Sequence, residues 1–241
     1  MITLTAKMQI QGENSLPFKL GENRVGDSWL FGENINVIVN FNRRSLLSIE
    51  TEITDRDNTN SISWGIISTG GHFEFNDTNS RFLGYANAGL LKEGIKVEFF
   101  LENTLTKAKE TAGVYYTSDW NYDNNTRSVS VSFKDDLEEW QDIQIEGFSY
   151  DLRNPTKVLP YQTMKWLYWW LYNKTPTKYN MLKFDSLDDK TKEILNSTTI
   201  PYPLLESGNL WSQWTKLCVV CGLHIYKNSQ GKTVCVYKNG A

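Results

Sequence analysis

The sequence lacks the excess of Lys and Arg that is typical of nucleic-acid-binding proteins. It also lacks the many cysteines that are typical of disulfide-rich proteins. Its 241 residues include two histidines and three cysteines, and the formal net charge is -3 at pH 7. Without an excess of Lys and Arg there is no basic face for phosphate backbones, so we expect no nucleic acid as the primary ligand. Three cysteines are too few for a disulfide scaffold and fit a reducing compartment.

Long apolar runs are also missing. The most apolar stretch, residues 164–172, is interrupted by Lys165 and is shorter than the about 20 apolar residues that cross a bilayer. The opening residues 1–10 alternate between apolar and polar types like a β-strand and do not resemble a secretory signal. We therefore predict no membrane span and expect the chain to be made in the cytoplasm.

Catalytic groups cannot be assembled from the sequence. His72 and His224 both lie in strand patterns, and no Ser/His/Asp, Cys/His or His/Glu spacing surrounds them. Gly65, Gly70 and Gly71 lie in or between strands with no helix start after them, which argues against a phosphate loop. We predict a protein that is not an enzyme and needs no cofactor.

The hydrophobic pattern has a period of two residues up to about residue 155 and a period of 3.6 after it. Many short alternating runs with polar turns predict an antiparallel β-barrel or sandwich domain over 1–155. Beyond Pro155 we predict a helical insertion over 156–222. Its three helices cover about 160–173, 186–195 and 208–221, and a C-terminal β-hairpin follows over 223–241. The predicted fold class is α+β, mainly β.

The last of these helices and the hairpin form the most distinctive segment. Apolar residues at helical spacing lie on one face, and Gly222 supplies a left-handed stop. Apolar and polar residues then alternate on both sides of a turn at 228–231, where Gly231 permits positive φ. The helix face consists of Leu210, Trp214, Leu217, Cys218 and Cys221.

This segment resembles the insertion segment of phage tail hub proteins. The matching positions are Leu210-Trp211, Leu217, Gly222-Leu223, Ile225-Tyr226 and Gly231-Lys232. A second stretch resembles another segment of the same family, and it consists of Ser63–Ser68, His72–Asp77 and Leu90–Gly94. The resemblance touches both halves of the chain, roughly 60–226.

The resemblance implies a tail-tube-like β-domain and a structural role in a bacteriophage tail. A hub or baseplate subunit of this kind forms a ring, a trimer or a hexamer of itself, that joins the tail tube to the distal tip and contacts other tail proteins. The expected location is the virion tail, after synthesis in the host bacterium. In the family further barrel would follow, so the hairpin is expected to pair with the β-domain or to lead into another domain. The alternative is a carbohydrate-binding β-sandwich module on a virion or cell surface.

The aromatic run 164–172 can be explained in three ways. A short helix that is apolar on all sides is typical of a core, whereas Trp and Tyr are enriched at protein interfaces. A helix lying in a membrane surface is the third reading, although the required polar face is almost missing. The residues predicted for an interface are Trp166, Tyr168, Trp169, Trp170, Tyr172 and Trp211.

The cysteines have two readings. Cys218, Cys221, His224 and Cys235 are of the types that zinc accepts, and a hairpin could bring Cys235 toward the helix end. The favoured reading is three buried, reduced thiols, because Cys218 and Cys221 share the apolar helix face. We therefore predict no metal.

The acidic run 135–142 is predicted to be a solvated turn, with Leu137 and Trp140 turned toward the core. Its carboxylates could also be read as a glycosidase pair, but sequence neighbours rarely reach the required separation. Trp120 and Trp140, with nearby Asn and Asp, are the candidates for stacking on a sugar.

Overall fold

The computed structural model describes residues 2–13, 34–42, 45–54, 65–77, 80–87, 89–147, 161–201 and 207–237. The chain divides into two compact units. The sheet unit consists of Met1–Glu52 and Gly70–Lys134, and the aromatic unit consists of Ile53–Thr69 and Asp135–Ala241.

Strands dominate the described residues. They are β1 (Ile2–Glu13), β2 (Asn34–Phe41), β3 (Leu46–Thr54), β4 (Gly65–Ile66), β5 (Ser68–Asn76), β6 (Lys96–Asn103), β7 (Lys109–Asp123), β8 (Ser128–Lys134), β9 (Gln144–Ile145), β10 (Tyr161–Thr163), β11 (Thr199–Pro201), β12 (Gly208–Asn209), β13 (Leu223–Lys227) and β14 (Thr233–Tyr237). The α-helices are α1 (Arg81–Asn87), α2 (Met164–Lys174), α3 (Asp189–Ser197) and α4 (Leu210–Cys221). Short 3-10 helices cover Asp136–Gln141, Thr177–Tyr179 and Phe184–Ser186.

The sheet unit is built on one curled antiparallel sheet, a half-barrel, with the strand order β2-β1-β6-β7-β8-β5-β3. Ladders β1–β2, β1–β6, β6–β7, β7–β8 and β5–β8 are antiparallel. Two register shifts, at Phe99/Phe100 and Thr117/Asp119, interrupt the ladders of β7. Such bulges increase the local twist, which helps a sheet to curl.

The alternation of the strands decides which side of the sheet is buried. In the second half of β5 and in β8 apolar side chains alternate with polar ones and face one core, and alternate residues of β1, β2 and β6 face the same core. That core is rich in phenylalanine rings in edge-to-face and tilted contact: Phe41, Phe73, Phe75, Phe82, Phe99 and Phe133. The predicted mainly β fold is confirmed.

One glycine in this sheet is required by close approach of the backbone. Gly71 in β5 has φ +155°, and a Cβ atom there would lie 2.0 Å from the backbone oxygen of Glu50 in β3. A larger residue would therefore push the two neighbouring strands apart.

The aromatic unit packs its helices around a second core. Its three-stranded sheet has the order β14-β13-β4, with β13 and β14 antiparallel and β13 and β4 parallel. The C-terminal hairpin is confirmed. Its partner strand, Gly65–Ile66, comes from the range predicted as β-domain but belongs to the aromatic unit.

Helix α4 ends at the predicted residue, Cys221, and begins at Leu210, two residues after the predicted start. Asn209 caps its start by accepting a hydrogen bond at Oδ1 from the backbone N–H of Ser212 at 2.8 Å. Gly222 ends it with φ +64°. Asp188 caps α3 by accepting from the N–H of Thr191 at 2.9 Å, so this helix begins three residues later than Ser186.

The predicted limit between β-domain and insertion, at residue 155, lies outside the described residues. The compact units divide elsewhere, between Glu52 and Ile53, between Thr69 and Gly70, and between Lys134 and Asp135. Trp64, in the stretch Ser63–Ser68 that carries part of the resemblance, also lies outside the described residues. No helix among the described residues is long and apolar enough to cross a membrane.

Candidate interaction surfaces and buried polar groups

The aromatic residues of α2 fall on two sides of the helix. Met164, Leu167, Tyr168 and Leu171 are buried in the core of the aromatic unit. Trp166, Trp169, Trp170 and Tyr172 are half-buried, with one side against the same core. A residue advances about 100° around a helix, so the three tryptophans share the side opposite the buried residues. We call Trp166, Trp169 and Trp170 the outer tryptophans.

Tyr168 corrects the prediction of its role. Its side chain is fully buried between the rings of Trp214, at 5.3 Å, and Phe184, at 5.9 Å. Its hydroxyl donates a hydrogen bond to the backbone oxygen of Leu182, and burial raises the pKa of the phenol. A satisfied core tyrosine has no surface to offer to another protein. Trp211, in α4, is half-buried against the same core.

A lysine lies over one of the outer tryptophans, and a second lysine lies over a phenylalanine of the same unit. Lys174 Nζ lies 5.8 Å from the ring centre of Trp170, and Lys165 Nζ lies 4.7 Å from that of Phe184. Trp169 contacts Tyr172 edge to face at 5.5 Å. Rings that are half-covered and held by neighbours are suited to protein contact, because they lose little conformational entropy on binding.

The predicted solvated turn at 135–142 is wrong for its first two residues. Asp135 and Asp136 are buried, at the start of the 3-10 helix Asp136–Gln141. Leu137 and Trp140 face the core, as predicted. The run itself could not reveal this, because Ser68, Thr69 and Lys227, which bind the two carboxylates, lie far away in the chain.

Asp135 is held by three donors. Its Oδ1 accepts from Ser68 Oγ at 3.0 Å and from the N–H of Leu137 at 3.0 Å, and its Oδ2 accepts from the N–H of Thr69 at 2.6 Å. Burial outweighs these bonds and raises the pKa of Asp135 to about 6. The carboxyl thus ties the start of the 3-10 helix to residues 68–69.

Asp136 forms a buried ion pair with Lys227 of β13. The distance from Asp136 Oδ1 to Lys227 Nζ is 2.6 Å, and both side chains are nearly inaccessible to water. Burial raises the pKa of Asp136, while the nearby Lys227 opposes that rise. Lys227 Nζ also donates to the backbone oxygen of Tyr179 at 3.0 Å. This pair fastens the hairpin to the 3-10 helix.

Glu139, a third carboxylate of this acidic run, lies at the surface. It accepts from Lys178 Nζ at 2.6 Å and from the hydroxyl of Tyr179 at 2.9 Å. Because these carboxylates are all engaged by donors of the same unit, the arrangement is suited to holding elements together. It does not bring two free carboxylates to one face.

The three cysteines are buried in the aromatic core as reduced thiols. Burial raises the pKa of Cys218 well above its usual value and that of Cys221 to about 12. His224, the fourth residue of the possible zinc set, is buried in β13. Among the residues that the structure describes, no cluster of three or more His, Cys, Asp or Glu has a geometry that could hold a metal ion.

The two tryptophans predicted to stack on a sugar cannot act together, because one of them is fully buried. Trp140 is fully buried in the aromatic core, in contact with Trp214 at 6.1 Å. Trp120 belongs to β7, packs against the sheet core, and donates from Nε1 to the backbone oxygen of Lys92 at 3.2 Å. His72 Nε2 lies 3.5 Å from Glu50 Oε2 on the sheet unit.

Sequence reasoning missed a surface at one end of the half-barrel. A groove of about 450 Å³ lies between the first residues of β1 and the first residues of β3. Its lining residues are Ile2, Thr3, Leu4, Leu46, Leu47, Ser48 and Ile49, and we call it the mouth groove. The strand pattern contained all of these residues, but alternation alone does not say where a curled sheet stays open.

Comparison with known proteins gives a weak likeness in structure. No protein-family model matches the chain, and no curated protein is significantly similar to it. Among solved structures, the 43 kDa tail protein of prophage MuSo2 from Shewanella oneidensis is similar with a TM-score of 0.43 and 10% sequence identity. The alignment covers 98% of this chain and 56% of that one, so the chain spans little more than half the length of that structure.

Proposed function

We propose that the protein is a structural, non-enzymatic subunit of a bacteriophage tail. In this proposal it is a hub or baseplate component that assembles with copies of itself into a ring joining the tail tube to the distal tip. The observation that supports it most is the open half-barrel. A curled sheet with a strand edge at each end of its order, β2 and β3, suits lateral association into a larger closed barrel.

The hub-like residues add support from the second unit. Leu217 and Gly222-Leu223 lie where helix α4 passes into β13, and Gly231-Lys232 lie in the turn of the hairpin. The motif therefore coincides with one continuous helix and hairpin, which is the arrangement that the resemblance implies.

Assembly would use backbone and aromatic contacts. Edge strands present unpaired N–H and C=O groups that a neighbouring subunit can complete. The outer tryptophans would supply contacts to a neighbour in the ring or to another tail protein. The protein would be located in the virion tail and would be made in the host bacterium.

Native mass by light scattering tests this function. A discrete trimer or hexamer, seen as rings of uniform diameter by electron microscopy, is the expected result. A chain that stays monomeric even at protein concentrations at which subunits ordinarily associate would count against a ring. A glycan array on the same sample would then test the carbohydrate-binding alternative.

A further inference from the structure

Asp135 lies at a place where the chain passes between the two units. The polypeptide leaves the aromatic unit after Thr69 and enters it again at Asp135. The backbone N–H of Asp135 donates to the backbone oxygen of Thr69 at 2.9 Å. The carboxyl accepts from the hydroxyl of Ser68 and from the N–H groups of Thr69 and Leu137. We call Ser68, Thr69, Asp135 and Leu137 the crossing cluster. Its one carboxyl holds residues 68–69 to the start of the 3-10 helix.

The segment before the first crossing is held at two points. At β4, Ile66 pairs with Ile225 of β13, and the N–H of Ile67 donates to the backbone oxygen of Ile225 at 2.8 Å. The second point is the crossing cluster, which begins with the next residue of the chain. If the carboxyl of Asp135 released its donors, the tie between residues 68–69 and the 3-10 helix would be lost, while the pairing with β13 would remain. Release of the second point does not require release of the first.

Two buried carboxyls share one buried cation at the crossing cluster. Asp135 is 1% exposed and Asp136 is 8% exposed. Lys227 Nζ lies 2.6 Å from Asp136 Oδ1 and offsets one negative charge. Within the part of the chain that the structure describes, Asp135 accepts only from uncharged donors. With both carboxyls ionised, this buried group of residues would carry an extra negative charge, a state that burial and the repulsion of like charges disfavour.

The other charged groups on the adjoining elements have partners of their own. Glu139, on the same 3-10 helix, is exposed, and its Oε2 lies 2.6 Å from Lys178 Nζ. Lys134 Nζ, next to the cluster in sequence, lies 3.5 Å from Glu93 Oε1. The remaining members of the crossing cluster have no titratable side chain. A bound proton is therefore the means by which the extra negative charge is neutralised.

A proton on Asp135 is compatible with the hydrogen bonds of the cluster. Burial, aided by the negative charge of Asp136, raises the pKa of Asp135 from 3.8 to about 6. When Oδ1 carries the proton, it can donate to Ser68 Oγ, because a hydroxyl accepts as well as donates. Oδ2 still accepts from the N–H of Thr69. The neutral form thus keeps these contacts, whereas the ionised form keeps a charge away from water.

We propose that the crossing cluster is a proton-operated latch, which is closed when Asp135 is protonated and opens more often when Asp135 is ionised. Every group of the latch belongs to one copy of the chain, so the latch does not depend on the proposed ring. Opening would expose Asp135 to water and would detach residues 68–69 from the 3-10 helix. The chain would thereby be loosened at two of its passages between the units, without unfolding of the aromatic core.

The form that binds the proton more tightly is stabilised as the pH falls. In the closed latch the pKa of Asp135 is about 6, and in the open latch contact with water returns it toward 3.8. The closed form therefore gains stability at low pH and loses it as the pH rises from about 4 to about 7. The ratio of open to closed latch should rise on the order of twentyfold between about pH 4.5 and pH 7 and should level off above that range.

Amide hydrogen exchange in the full chain, resolved by NMR and corrected for the intrinsic effect of pH, tests the latch. The carboxyl binds the amides of Thr69 and Leu137 directly, and the buried Leu217 of α4 reports global opening. Thr69 and Leu137 should exchange faster than Leu217 and with a weaker dependence on urea. Their protection should fall on the order of twentyfold between about pH 4.5 and pH 7. Equal protection and equal urea dependence of all three amides would overturn the latch, because only global unfolding would then expose Asp135.

Two variants separate Asp135 from the other acids of the run. Asp135→Asn keeps the shape of the carboxyl but cannot ionise, so the protection of Thr69 and Leu137 should no longer depend on pH. Glu139→Gln is the matched control, because this residue lies on the same 3-10 helix but is exposed, and the pH dependence should persist in it. A pH dependence that survives in Asp135→Asn, or one that disappears in Glu139→Gln, would contradict the proposal.

A titration of the original chain keeps the proposal testable even if Asp135→Asn does not fold. The carbon-13 chemical shift of the Asp135 carboxyl, followed against pH, should have its midpoint at about 6. A midpoint at or below that of an exposed aspartate, about 4, would overturn the latch, because the closed form would then hold the charge without cost.

Discussion

The ion pair between Asp136 and Lys227 allows the sharpest prediction of stability. Replacing Lys227 by Met keeps most of the aliphatic length of the side chain but removes the charge that lies 2.6 Å from Asp136. The backbone oxygen of Tyr179 loses one donor, yet it keeps the hydroxyl of Thr233 at 2.6 Å. The variant therefore isolates the effect of leaving a buried carboxylate without its cation.

Breaking a buried pair in this way typically costs about 3–5 kcal/mol of unfolding free energy. The pKa of Asp136 already lies above its usual value because of burial, and the loss of Lys227 should raise it further. An acid whose folded pKa is raised binds more protons in the folded state than in the unfolded state at intermediate pH. The cost of Lys227→Met should therefore be largest near pH 7 and should shrink as the pH falls through the folded pKa.

Urea unfolding followed by tryptophan emission measures this, since Trp140 and Trp214 are fully buried in the same unit. The double variant Asp136→Asn with Lys227→Met is the matched control, because it has no buried charge and should recover much of the lost stability. A cost below about 1 kcal/mol for Lys227→Met at pH 7, or a cost that does not change with pH, would refute the argument.

Three further predictions concern the other features of the chain. The folded pKa of Asp135, about 6 against 3.8, means that the original chain should lose up to roughly 3 kcal/mol between pH 4 and pH 7, and Asp135→Asn should remove this slope in denaturant titrations at each pH. Gly71→Ala should lower the free energy of unfolding of the sheet unit by about 1–3 kcal/mol, because its Cβ would collide with the backbone of β3. Gly84→Ala in α1, with open space around it, should be neutral or stabilising in the same denaturant titration. Trp166→Ala with Trp170→Ala should lower the oligomer mass in light scattering while β circular dichroism persists. Either an unchanged mass or a global loss of that signal would contradict the last prediction.

The local sequence pattern was sufficient to predict individual strands and helices. The alternation of β5 and β8 puts Phe73, Phe75 and Phe133 on one side whatever the neighbours are, because successive side chains of a strand point to opposite faces. The limits of α4 were predictable for a similar reason. Asn209 and Gly222 act through hydrogen bonds and φ angles within a few residues of the helix ends.

Long-range partners were not predictable from the same pattern. The burial of Asp136 depends on Lys227, which the chain brings back only through the C-terminal hairpin. The parallel pairing of Gly65–Ile66 with β13 likewise joins segments that are far apart in sequence, so a strand that alternation assigned to the β-domain belongs to the aromatic unit. A single sequence contains the residues of such pairs but not the contact between them.

The aromatic run of α2 shows how this limit bears on function. Its composition is apolar on nearly every side, so periodicity predicts a helix without deciding which rings face outward. Tyr168 is turned inward because the core offers its hydroxyl an acceptor, the backbone oxygen of Leu182, and its ring two aromatic neighbours. The indoles of Trp166, Trp169 and Trp170 keep one side open. A test of partner binding on this helix must therefore change the outer tryptophans, since a change at Tyr168 would alter the stability of the unit before it altered any contact with a neighbour.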